Sequence, residues 1–158
     1  MITVREWRKE DLGAMIAMGA EMHIESPYYR DIPYQPESLI RIAKIAEKAS
    51  DVLTALIAED GDTMLGFMVI TIQPYFFSDA VHCADLLLYV KPIYRLTTPA
   101  GKMLIQAAEK WGFEHGATEC RFGETTGVMP EAVAKLYEKL GYHQGGTLYV
   151  KRTPSTVS

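Results

Sequence analysis

The residues best placed to do chemistry run from Leu88 to Leu104: Leu88, Tyr89, Val90, Lys91, Pro92, Ile93, Tyr94, Arg95, Leu96, Thr97, Thr98, Pro99, Ala100, Gly101, Lys102, Met103, Leu104. An apolar strand enters a turn rich in small residues, and a helix follows. Thr98 is a good N-cap and Pro99 a good first helical residue. The start of a helix leaves several backbone N–H groups without intrahelical acceptors and carries a partial positive charge, so it is a seat for phosphate. Arg95 and Lys102 add formal charge nearby. An ordinary capped crossover helix has the same parts, and spacing alone favours that plainer reading.

Carboxylates supply the next chemistry. Asp85 begins an apolar strand. Burial there would raise its pKa and suit it to act as a general base, directly or through water; at the strand's rim it would simply face solvent. Glu124 and then Glu25 are the second and third candidates. Tyr137 lies at helical spacing with Val133, Leu136 and Leu140, which suits a core aromatic with its hydroxyl at the surface. His23, His82, His115 and His143 show no metal-ligand spacing and read as scattered surface residues. Cys83 and Cys120 lie in apolar or strand-like stretches and read as reduced, buried fillers in a cytosolic protein.

The elements that must position these residues follow from periodicity. Residues 2–7 alternate as a strand, and Lys9, Glu10 and Asp11 end it. Leu12, Met15, Ile16 and Met22 stripe a first helix. Residues 26–36 form a rigid loop holding Pro27, Pro33, Pro36, Tyr28, Tyr29 and Tyr34. Its tyrosines either line a pocket or pack over a sheet. A second helix opens near Pro36 with Leu39, Ile42, Ala43 and Ala46 inward. Residues 52–58 and 64–73 are strands around a turn in which Asp60-Gly61 supplies positive φ. Residues 81–90 are nearly all apolar, the pattern of a strand buried on both faces. A helix over 99–112, a strand over 119–122, a helix over 130–140 and a last strand over 147–151 complete the order, with residues 154–158 a frayed tail. Strand 81–90, helix 99–112 and strand 119–122 make one βαβ unit, which predicts parallel neighbours.

The chain has 158 residues and a net charge of −4. That length suits one domain, placed at residues 1–153. The charge argues against a nucleic-acid surface and leaves room for an amine-bearing partner. No apolar run reaches a membrane span, and the N-terminus has no signal-peptide core. The cytoplasm is the expected compartment.

Two motifs carry a family resemblance. Val90, Pro92, Tyr94 and Arg95, followed by small residues, resemble the acetyl-CoA-binding motif of the GNAT superfamily of N-acetyltransferases, whose pattern is Gln/Arg-x-x-Gly-x-Gly/Ala. Arg95 takes its first position, Ala100 its last, and Thr98 stands at the middle glycine. Independently, Ala134, Tyr137, Gly141 and Tyr142 resemble the family's late helix. There Pro130 stands where members often carry asparagine. Residues 22–29 resemble GNAT proteins carried by tailed bacteriophages.

The resemblance implies an α/β fold: a mixed, mostly antiparallel sheet with one splayed parallel strand pair, flanked by helices on both faces. It implies acetyl-CoA as cosubstrate, held by Leu88, Tyr89, Val90, Arg95, Leu96, Thr97, Thr98, Pro99, Ala100, Gly101 and Lys102. A small-molecule or protein amine attacks the thioester directly, and Tyr137 stabilises the leaving thiolate. Asp85 and Glu124 are the base candidates. A lysine amine is neutral only about once in 2,500 at pH 7, an α-amine roughly once in five to ten, so a lysine acceptor needs a base more. A homodimer is compatible with the family. The alternative, resting on Thr98 and Pro130, is an inactive binding or scaffold protein of the same fold.

Overall fold

The computed structural model describes residues 1–154. The expected tail over 154–158 lies, beyond Pro154, outside the described residues. Strand β1 (Ile2–Glu6) leads through a single 3-10 turn at Lys9–Asp11 into helix α1 (Leu12–Glu25). Helix α2 (Pro36–Lys48) starts on its proline, where the missing N–H costs nothing. Strands β2 (Leu53–Asp60), β3 (Thr63–Pro74) and β4 (Val81–Val90) follow. A one-turn helix α3 (Pro92–Arg95), helix α4 (Ala100–Glu114), strand β5 (Ala117–Arg121) and helix α5 (Pro130–Lys139) complete the order.

The strands form one five-stranded sheet in chain order, β1 to β5. The first four pair antiparallel; β4 and β5 pair parallel, as the βαβ argument requires. The β2–β3 hairpin turns at Gly61, whose φ of +59° a side chain would resist. Helix α4 lies against all five strands; its Leu104, Ile105 and Ala108 are fully buried, as are Ile57, Met68 and Ile70 in the sheet. At the sheet's outer end Arg5 grips two carboxylates. Its guanidinium donates to both oxygens of Glu59 at 2.8 Å and to Asp11 at 2.8 and 3.0 Å. Those bonds hold the Asp11 carboxyl below its usual range.

Two compact units make up the chain. One comprises residues 1–19 and 35–123 and holds the whole sheet with α2, α3 and α4; the other comprises residues 20–34 and 124–158.

Three expectations change. Residues 147–151 join no ladder among the described residues, and Leu148, Tyr149 and Val150 stand exposed. A strand pattern records a preference, but pairing needs an available edge. The N-cap of α4 is Pro99, not Thr98, because the extra helix α3 captures the threonines. Thr97 and Thr98 donate their hydroxyls back to the Ile93 and Tyr94 carbonyls at 2.8 Å. His82 is buried rather than on the surface, its ring 4.8 Å from that of Tyr75, and burial lowers its pKa.

Candidate active site

The site begins where β4 and β5 part. Their register pairs Val81 with Ala117, Cys83 with Cys120 and Ala84 with Arg121, and stops there. β4 continues to Val90, so residues 85–90 have β3 on one side and, among the described residues, no strand on the other. Every second backbone group along such an edge points away from β3 and suits an extended, amide-bearing ligand. Leu88, Tyr89 and Val90 lie on this run.

A bulge shapes the same stretch. Val69 pairs with Leu87 and Ile70 with Asp85, so Leu86 is the extra residue and stands half exposed. The pleat is thereby reset: Asp85 and Leu87, two apart, lie on opposite faces. β4 is therefore not buried along its whole length, contrary to the apolar pattern. Asp85 shares a face with Cys83 and the fully buried Ile70. At the apex of the parted strands its Oδ1 accepts the Gly123 N–H at 2.9 Å. Burial raises its pKa to about 6, against the smaller pull of that hydrogen bond.

At the far end of β4 the chain turns through α3 into α4. Arg95 donates from Nε to the Val90 carbonyl at 2.8 Å and lies over the Tyr89 ring, 5.0 Å from its centroid. The guanidinium is thus held at the end of β4 by β4 itself. Leu96 is exposed, and Thr98 Oγ1 lies 3.4 Å from the Ala100 N–H. Ala100, Gly101 and Lys102 form the first turn of α4, whose amides precede the intrahelical ladder. Ala100 is fully buried, so its small side chain lets this turn sit close to the sheet.

Tyr137 and Glu124 belong to the second unit. Tyr137 is 8% exposed, and its ring meets Tyr142 edge-on with centroids 5.3 Å apart. Its hydroxyl is buried, not at the surface as the simple core reading supposes. Glu124 turns its carboxylate into its own loop: Oε1 accepts from Thr126 Oγ1 at 3.0 Å and from the Gly127 N–H at 2.8 Å. That makes it a loop brace and a weaker base candidate than Asp85.

Sequence reasoning passed over two residues that shape this unit. Ser26 is fully buried; its hydroxyl donates to the Thr126 carbonyl, and its oxygen lies 3.1 Å from the Tyr29 N–H. Gly127 has φ +70°, and a Cβ there would stand 2.7 Å from the Tyr28 ring. Together they seat the tyrosine loop on residues 124–129. A serine just after a helix gives only a faint signal, because its partner lies a hundred residues on.

A parallel pair whose ladder ends at Ala84, a carboxylate of raised pKa just beyond it and the start of a helix past the far end of β4 make up the candidate site. Residues 17–142 match the sequence profile of the Acetyltransferase (GNAT) family, and the chain belongs to that family as an N-acetyltransferase. No curated protein matches the chain. Solved structures share the fold. A transcriptional regulator from Bacillus halodurans superposes with a TM-score of 0.77 at 20% identity, covering 97% of this chain and 100% of its own. AAC(6')-Iy, solved with the bisubstrate analogue CoA-S-monomethyl-acetylneamine, gives 0.76 at 17% identity over 97% and 98%. A ribosomal-protein-alanine N-acetyltransferase from Brucella melitensis gives 0.72 at 17% identity over 97% and 99%.

Proposed function

We propose that the protein transfers an acetyl group from acetyl-CoA to a primary amine by direct attack on the thioester. The run of β4 beyond the end of its ladder with β5 carries this reading. It offers the pantetheine arm backbone partners at Leu88, Tyr89 and Val90, and leads to a turn over residues 96–102 suited to the pyrophosphate. Arg95 stands between the two. When bound, acetyl-CoA supplies the activated acetyl group. Asp85 takes a proton from the incoming ammonium, and Tyr137 donates a hydrogen bond to the departing thiolate. Full proton transfer from tyrosine to a thiolate is uphill by roughly 2 kcal/mol on reference pKa values, so donation without transfer is the economical role. The fold fits AAC(6')-Iy, whose analogue joins CoA to an amine. The Tyr28, Tyr29 and Tyr34 loop is our candidate acceptor wall. No described helix is long and apolar enough to cross a membrane. We read the enzyme as cytoplasmic, and as phage-carried on the resemblance of residues 22–29 alone.

Acetyl-CoA at a hundred times its Kd should stabilise the fold by about 2.7 kcal/mol. For a chain of this size that is a rise in Tm of roughly 5–11 °C. No shift in Tm and no heat in calorimetry would overturn the cofactor assignment.

Asp85 gives a test with two opposite signs. Its folded pKa of about 6 lies above the ordinary carboxylate value. The folded state therefore binds this proton more tightly, and stability falls as pH rises from about 4 to about 6. The cost of the ionised, buried carboxylate above that window is up to about 3 kcal/mol. Asp85→Asn should thus be more stable than wild type at pH 7.5 and no more stable at pH 4. It should also lose the limb of kcat/KM that rises through pH 6. Denaturant melts and pH–rate profiles of both proteins check this; an unchanged rising limb removes Asp85 as the base.

A further inference from the structure

We propose that Cys83 and Cys120 are a redox pair, oxidised by hydroperoxides to an intramolecular disulfide that ties β4 to β5. The chain holds two cysteines, and both are free thiols. They stand opposite each other in the parallel ladder, one rung before its end at Ala84 and Arg121. Paired strands run about 4.8 Å apart, inside the range of about 4.4–6.8 Å between Cα atoms that a disulfide accepts. Both sulfurs converge on Gly112 of α4. A Cβ there would stand 2.7 Å from Cys83 Cβ, 3.1 Å from Cys83 Sγ and 3.3 Å from Cys120 Sγ. The glycine thus leaves room for two sulfurs side by side beneath the helix. Among the described residues no group of three or more His, Cys, Asp or Glu could hold a metal ion, which leaves the pair its own redox chemistry.

The two thiols are unequal. Cys83 is fully buried, whereas Cys120 is partly exposed and open to a small oxidant. The Cys83 S–H donates to the Cys120 sulfur. That hydrogen bond lowers the Cys120 pKa, against burial and the carboxylates of Glu109 and Glu119. The same bond, together with burial and the carboxylate of Asp85, raises the pKa of Cys83. The reachable sulfur is therefore also the one richer in thiolate, the attacking form. Cys120 gives up its proton and attacks the terminal oxygen of the hydroperoxide. The O–O bond breaks, an alcohol or water leaves with a proton, and Cys120 becomes a sulfenic acid. The Cys83 sulfur then attacks the Cys120 sulfur. The S–O bond breaks, and the hydroxide departs as water with the Cys83 proton. Two thiols and one hydroperoxide thus yield one disulfide, one water and one alcohol or second water. In a reducing compartment such a bond is transient, because thiol exchange reopens it.

The test treats the reduced, folded full chain with one equivalent of hydrogen peroxide, then denatures it and alkylates the remaining thiols. Peptide mass spectrometry reads the state of each cysteine. Both thiols should vanish together, the Cys83 and Cys120 peptides should be joined to each other within one chain, and dithiothreitol should restore both thiols. Two variants test the order of attack, with dimedone present to capture sulfenic acid. In Cys83→Ala, which removes the resolving sulfur, Cys120 should accumulate the dimedone adduct that the wild type does not. In Cys120→Ala the buried Cys83 should stay a thiol. If either variant fails to fold by circular dichroism, the wild-type thiol count decides. Retention of both thiols in the wild type overturns the proposal. So does oxidation of Cys120 to sulfinic acid without a bridge, a bridge formed between chains, or a dimedone adduct on Cys83 of the folded Cys120→Ala protein.

Discussion

Tyr137→Phe should lower kcat by about 10²–10⁴ while leaving KM for acetyl-CoA nearly unchanged. The substitution removes one oxygen from a buried ring that packs edge-on against Tyr142. The ring and its contacts persist, so the fold should lose only about 1 kcal/mol. A hydrogen bond to the sulfur matters only as charge accumulates there, so its loss falls on turnover rather than on binding. Tyr137→Ala is the companion. Deleting a buried aromatic costs roughly 3–5 kcal/mol, so this variant should show a large drop in melting midpoint as well as in rate. Steady-state kinetics on a responsive amine, with denaturant melts of both variants, separate catalysis from packing. An unchanged kcat in the phenylalanine variant would return Tyr137 to the core alone.

The second large effect concerns Gly66. This residue of β3 lies opposite Val90, at the C-terminal end of β4. A Cβ there would stand 2.4 Å from the Tyr89 carbonyl oxygen and 2.9 Å from the Val90 Cα. Both obstacles are backbone and cannot rotate away, so the strands must move apart. Overpacking of this kind typically costs about 1–3 kcal/mol, and the closeness here places Gly66→Ala at the upper end or beyond. A fall in Tm of roughly 6–12 °C is expected. Acetyl-CoA should also bind more weakly, since the displaced residues are Tyr89 and Val90. Gly13→Ala is the control: nothing lies within 4 Å of its added methyl, and it sits inside α1. It should gain up to about 1 kcal/mol. Thermal melts of both proteins check the pair. A Gly66→Ala protein as stable as wild type would show that the sheet yields at this point.

The parallel relation of β4 and β5 was legible because a strand, a helix and a strand in succession leave one handed way to pack. The turn from β4 into α4 was legible for the same reason: strand-to-helix junctions announce themselves through Pro99, Ala100 and Gly101. The bulge at Leu86 was not. Leucines at 86, 87 and 88 look alike whichever way they point, so the pattern cannot say where the pleat resets. Helix α3 was hidden too, since four residues hold too little periodicity, and with it went the capping role of Thr98. Residues 147–151 show the limit from the other side. Their composition states a strand, but a ladder depends on a partner edge. The bracing of residues 124–129 on Ser26 was invisible for want of any local signal. Glu124 accordingly looked like a free base when its carboxylate holds its own loop.

The run of β4 beyond Ala84 bears on how much this sequence can drift. What it offers is main-chain N–H and C=O groups, which every residue but proline supplies. On the proposed function the side chains of 87–90 answer to the packing around them rather than to the ligand, and Asp85 answers to its chemistry. What must persist is geometric: the position where pairing with β5 ends, and the bulge that turns Asp85 into the apex. Both are set by register, which many sequences share. A binding edge of this kind survives wholesale substitution, consistent with proteins only 17–20% identical keeping the same architecture over nearly their whole length. On the proposed function, acceptor preference, carried by side chains on loops, is then free to diversify without disturbing the edge of β4.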